Sequence, residues 1–268
     1  MLLGDIEEQS FKKCILTLIA VLSFNIAIST AQGITVNARV YLEGALLNSF
    51  ETGTTHDRPL MRDDLRDNPF NNELLIPSAD IYQTPYEVND YITIDITDKF
   101  THVACGAYPI FQSIPDPVTV FAVTGEDAIV DWVFLELRDK NDYTSVLATR
   151  SALVQRDGDV VDLDGVSKVS FPDVTVDSYF LVARHRNHLG VMTKFPKMAQ
   201  DLEALVDFSD ENEPVFDFAN SFGEFNYSGY AMKELNVSNY DLRALWAGDF
   251  DANGKVVFSG EEDDLTVL

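Results

Sequence analysis

The sequence predicts an all-β protein, built as an antiparallel β-sandwich, and three observations carry that reading. Several segments alternate apolar and polar residues with a period of two, they are short and bounded by Asp-Gly turns, and no helical periodicity separates them. Half-buried strands need that alternation, because successive side chains point to opposite faces of a sheet.

The first element is not a strand. Lys12 and Lys13 precede the apolar run Cys14 to Ile28, which ends in Ser29-Thr30-Ala31 before Gln32. A basic start, an apolar centre and a small-residue end read as a secretory signal peptide over residues 1–31. A membrane anchor needs about 20 apolar residues; this run is shorter, contains Asn25 and has no basic flank after it. The mature chain is therefore expected to be secreted or at the cell surface, without membrane insertion.

Residues 32–205 read as the sandwich. Ile34, Val36, Ala38, Val40 and Leu42 share one face of a first strand, and Ile92, Ile94 and Ile96 one face of another. Ala128 to Leu137 is apolar on both faces, with Val130, Trp132 and Phe134 opposite Ile129, Val133, Leu135 and Leu137, as a central strand requires. Further strands are expected at Val118 to Val123, Ser145 to Val154, Val166 to Phe171 and Tyr179 to Arg186. The turns between them carry Asp157-Gly158 and Asp164-Gly165. In Phe171 to Ala183 an apolar anchor, a tight turn and then Tyr179 entering a strand match immunoglobulin-like or prealbumin-like sandwiches by analogy.

Residues 51–90, rich in Asp, Asn, Arg and Pro, read as a long surface insertion near the N-terminus of the domain, with a short helix at Leu60 to Arg66. Residues 206–245 form an aromatic-rich extension, expected to pack back on the sandwich because disorder does not suit so many aromatics.

The net charge of −25 disfavours nucleic acid and anionic lipid, whose phosphates attract clustered Lys and Arg. Cations are the natural small partners. After the leader, Cys105 is the only cysteine, so no intramolecular disulfide is available and stability falls to the core or to bound ions.

The strongest local motif is Trp246-Ala-Gly-Asp249-Phe-Asp251-Ala-Asn253-Gly254-Lys255-Val256, within a C-terminal loop segment, 246–268. An EF-hand-type calcium loop puts side-chain oxygens at positions 1, 3 and 5, Gly at 6, a backbone carbonyl at 7 and an apolar residue at 8. Asp249, Asp251, Asn253, Gly254, Lys255 and Val256 fill those places in order. Gly260 stands where the closing acid belongs, but Glu261, Glu262, Asp263 and Asp264 follow it. Calcium is the expected ion; the competing reading is a turn that binds nothing.

The ordered series Arg39 to Gly44, Met61 to Arg66, Leu75 to Pro77, Ala128 to Val133, Glu136 to Arg138, Ala148 to Leu153, Gln155 to Val160, Arg184 to Gly190 and Leu245 to Asp249 resembles secreted Bacteroidota surface proteins of the hemagglutinin-like or adhesin-like kind. The resemblance implies a dockerin-type calcium loop, with the closing carboxylate at Asp263 or Asp264, and a role in adhesion.

His185-Arg-Asn-His188 raises zinc binding or proton transfer, but residues three apart on a strand face opposite ways, so a shared site requires the strand to end between them. Asp157, Asp159, Asp162 and Asp164 offer a second candidate cation site, and simple hairpin turns explain them equally well. No Gly-x-Ser-x-Gly elbow, phosphate loop or His-Glu-x-x-His pattern occurs, so no catalytic or cofactor-binding residue is assigned. The expected function is a non-catalytic extracellular or cell-surface adhesion or structural module, stabilised by calcium, that binds a glycan, a protein or itself. The alternative is an accessory or binding portion of an extracellular polysaccharide hydrolase.

Overall fold

A computed structural model describes residues 33–47, 49, 51–54, 58–66, 74–89, 92–104, 112–216, 231–237, 239–250 and 256. The expected signal peptide, residues 1–31, lies outside them. The strands, in chain order, are β1 (Ile34–Arg39), β2 (Tyr86–Asn89), β3 (Ile92–Ile94), β4 (Ile129–Asp139), β5 (Asp142–Gln155), β6 (Asp159–Val161), β7 (Val169–Phe171), β8 (Ser178–His185), β9 (His188–Met192), β10 (Lys197–Met198), β11 (Glu203–Asp207), β12 (Lys233–Val237) and β13 (Tyr240–Ala244).

The protein is all-β. Its main sheet has nine strands, ordered β10-β8-β4-β5-β6-β1-β11, with β7 also on β1 and β9 also on β8. Every pairing in it is antiparallel except β1 with β11. The two ends of that order, β10 and β11, are neighbours in the chain, joined by a tight turn in which Gln200 and Glu203 exchange backbone hydrogen bonds. Asp201 and Leu202 both take positive φ there, as the mirror-image hairpin turn demands. The sheet consequently bends over on itself. Val36 and Ala38 of β1 and Val206 of β11 meet Leu135 and Leu137 of β4 and Leu181 of β8 around a residual cavity of only about 10 Å³. That is the inner core of a sandwich.

β4 is the central strand, flanked by β5 and β8 over most of its length. A bulge at Ile129–Asp131 shifts its register against β5 and corrects the expected facing. A bulge inserts one extra residue and so exchanges the faces beyond it. Val130 therefore joins Val133, Leu135 and Leu137 in the inner core, while Ile129 joins Trp132 and Phe134 on the outer face.

The outer face is covered by the preceding chain. Ile76, Ile81, Tyr82, Ile96, Phe100, Ile114, Val120 and Phe121 pack on Trp132, Phe134, Leu153, Val161 and Leu163 to form a second core. The stretch 51–90, read as a surface insertion, thus supplies buried Ile76, Ile81 and Tyr82 to this core and Met61 to the inner one. Within it the short helix expected at Leu60 to Arg66 reduces to a 3₁₀ turn, Asp64–Arg66. β2 and β3 form their own small sheet rather than extending the large one.

The strand expected at Val118 to Val123 is instead a helix, Pro117–Ala122. Asp116 caps it, accepting from the Thr119 amide at 3.2 Å, and Pro117 supplies the preset φ of a first helical turn. Start signals outweighed the β-branched residues. Val166 to Lys168 likewise form a bend and a single bridge before β7 starts at Val169.

Tyr179, the second residue of β8, enters the strand as expected, and its hydroxyl donates to the Thr175 carbonyl at 2.6 Å. This ties the turn to the strand, as in a tyrosine corner. No helix among the described residues is long and apolar enough to cross a membrane.

Candidate functional site at the end of the sandwich

The C-terminal motif is delivered by chain that belongs to the inner core. β12 and β13 pair as a hairpin, and Leu242, Ala244 and Leu245 are buried. The Leu245 amide donates to the Tyr41 carbonyl at 2.8 Å, and the Glu43 amide donates back to Leu245 at 3.1 Å. Beyond it, Leu189 N–H reaches the Trp246 carbonyl at 2.9 Å, Gly248 N–H reaches Asn187 at 3.1 Å, and Ala247 N–H reaches Glu43 Oε2 at 3.0 Å. The Lys233 ammonium lies 4.4 Å from the centre of the Trp246 ring.

Asp249 follows directly and is 3% exposed. Gly248 takes φ +115°, and a Cβ placed on it would come 3.1 Å from Val256 Cγ1. The residues on either side of the motif's centre, Gly248 and Val256, therefore stand against one another. Asp251, Asn253, Lys255, Asp263 and Asp264, the other expected calcium ligands, lie outside the described residues.

A second cluster adjoins this one. β8 ends at His185, β9 begins at His188, and the two pair directly across the Arg186-Asn187 turn. The strand does end between the histidines, so the rings face each other, Nδ1 to Nδ1, at 3.0 Å. His185 Nε2 lies 3.2 Å from Asp131 Oδ2, and Arg186 donates to the same oxygen at 2.7 Å. His188 Nδ1 is 2.8 Å from Asn187 Oδ1, and its Nε2 accepts from the Gly44 amide at 3.3 Å. Both rings are buried.

Burial alone would raise the Asp131 carboxyl, but the Arg186 charge and the hydrogen bond from His185 overcome it and hold it at about 2. Burial, reinforced by His185, pushes His188 well below the ordinary histidine value. Sequence reasoning missed Asp131 as a member of this group. The signal available was an acid near the start of the long, mostly apolar run Ala128 to Leu137.

The carboxylates of the Asp157 to Asp164 run do not converge. Asp159 accepts from Arg39 at 2.7 Å and Asp162 from Arg150 at 2.6 Å, while Asp164 accepts turn amides from Val166 and Ser167. Asp157 is pushed up to about 6, by burial first and then by the nearby Asp159 charge. Among the described residues no three His, Cys, Asp or Glu side chains are grouped to hold a metal ion.

Fold and site together define an all-β sandwich protein with a C-terminal segment docked at one end. No protein-family model, curated protein or solved structure matches the chain.

Proposed function

We propose that this chain is a non-catalytic adhesion or structural module, exported to the cell surface or medium, whose C-terminal loop is rigidified by calcium and which binds a glycan, a protein or a second copy of itself. The observation that supports it best is the setting of Asp249. The Asp249 carboxylate is buried at the start of an Asp-rich loop, Gly248 and Val256 on either side of the loop's first half stand together, and the segment before it is tied into the sandwich by main-chain hydrogen bonds. This fits a hard cation that takes oxygen ligands. Asp249, Asp251 and Asn253 would hold it by side chains, Lys255 by its carbonyl, and Asp263 or Asp264 would close the cage. Bound calcium neutralises acids that otherwise repel and stabilises the docked segment by mass action, about 2.7 kcal/mol at 100 times the dissociation constant.

The test is calcium titration by calorimetry on the protein and on the Asp249→Ala, Asp251→Ala double variant, followed by a glycan array with and without calcium. Heat from the parent alone and calcium-dependent glycan capture are expected. Equal heats from both proteins would remove calcium from the reading.

A further inference from the structure

Four imidazole nitrogens meet at the tip of the β8–β9 hairpin, and the partner of each dictates where its protons stand. Asp131 is an ionised carboxylate, so His185 Nε2 carries the proton of their 3.2 Å bond. Gly44 donates its amide proton to His188 Nε2, so that nitrogen is bare and the His188 proton stands on Nδ1. From there it is shared between His185 Nδ1 at 3.0 Å and Asn187 Oδ1 at 2.8 Å. Each ring thus holds one proton, in a directed chain from Gly44 through His188 and His185 to Asp131. A further proton has no acceptable position. On His188 Nε2 it would face the Gly44 N–H; on His185 Nδ1 it would face the His188 Nδ1–H and the Asn187 amide at 3.4 Å.

The same tip carries the C-terminal segment. His188 pairs with Ala247, Leu189 donates to Trp246, and Gly248 donates to Asn187. Ala247 in turn bonds Glu43, next to Gly44. Among the described residues, buried Asp249 stands two residues beyond Ala247, and four further charged and titratable groups lie around the rings and the segment they hold, with Lys233 opposite one of them. Asp131 of β4 and Arg186 of the turn offset one another, Tyr86 of β2 stacks under Arg186 at 5.2 Å, and Glu43 faces Lys233 at 4.0 Å.

We propose that His185 and His188 form a proton-operated latch, which holds the Trp246–Gly248 segment and the Gly44 turn on the hairpin while His188 is neutral and releases them when His188 takes up a proton. Released, His188 titrates near the ordinary histidine value of about 6.5; docked, burial and the facing His185 ring hold it well below that value. Below that pH the open form binds a proton that the closed form refuses, so the open fraction rises by up to about tenfold per pH unit, and above it the latch is unaffected. The latch does not depend on calcium in the adjoining loop.

The experiment is native-state amide exchange by NMR on the purified chain in chelator, corrected for intrinsic rates, from pH 7.5 to 5.5. The amides of Gly44, Leu189 and Gly248 are expected to lose about tenfold protection relative to Leu135 below pH 6.5. His188→Gln, which keeps an acceptor for Gly44 and cannot titrate, should abolish that loss. Should the variant not fold, ¹⁵N shifts of the parent's ring nitrogens decide the point: at pH 7 the proton of His188 belongs on Nδ1. Parallel behaviour of these amides and Leu135 across the range, a loss that persists in His188→Gln, or a proton on His188 Nε2 overturns the latch. Because chelator is present throughout, either result leaves the calcium reading to its own titration.

Discussion

The indole N–H of Trp132 donates to the carbonyl of Pro77 at 2.8 Å, joining the central strand to the layer that covers its outer face. Tyr82 returns the connection, its hydroxyl donating to the Trp132 carbonyl at 3.1 Å. Trp132→Phe leaves the Pro77 carbonyl without its donor and opens a gap where the larger ring lay. A loss of about 2–3 kcal/mol is expected, read as a lower urea midpoint with unchanged slope. A loss below about 0.5 kcal/mol would mean that the cover does not depend on this contact.

Asp131 is the buried counter-charge of Arg186, and removing one member of such a pair strands the other. Asp131→Asn should cost about 3–5 kcal/mol, and the double change with Arg186→Met considerably less than the sum. Because the folded-state value of Asp131, about 2, lies below the unfolded value, its contribution is full above pH 4 and is lost as pH falls toward 2. That limb, about 2 kcal/mol, should be missing from the pH–stability curve of Asp131→Asn.

Asp157 behaves in the opposite sense. Its folded-state value, about 6, lies above the unfolded one, so the folded protein holds a proton that the unfolded chain has released. Stability is therefore lost as pH rises from about 4 to 6. Asp157→Asn keeps an acceptor for the Asp159 amide at 3.1 Å and removes the charge. It should stabilise the protein by about 1 kcal/mol at pH 7, allowing for solvent screening, and by nothing at pH 4. Thermal unfolding at the two pH values checks this.

Tyr179→Phe keeps the buried ring and deletes only the hydroxyl that reaches Thr175. A cost of about 1 kcal/mol is expected in chemical denaturation. Faster exchange should follow at the Ala199 amide, which bonds the Asp177 carbonyl in the same turn.

The sequence by itself determined the class of fold and its main strands, because alternation with a period of two in β1 and a run apolar on both faces in β4 are local properties of the chain. It also marked Trp132 as buried, though between the sheets, whereas Trp132 packs under the chain that covers the outer face, and it placed Tyr179 at the entry to β8. Tertiary structure decided what local pattern leaves open. The bulge at Ile129–Asp131 exchanges the faces of Ile129 and Val130, which depends on the register adopted by β5. Val118 to Ala122 became helical because one cap and one proline outweighed β-branched propensity. The stretch 51–90 looks like surface when its polar residues are counted, yet Ile76, Ile81 and Tyr82 find their partners some fifty residues later in the chain. Asp131, His185, His188 and Gly44 come from three distant segments. Only the two-residue turn at Arg186-Asn187 and the folding of the sheet over itself bring them within hydrogen-bonding distance, so no spacing in the chain announces them.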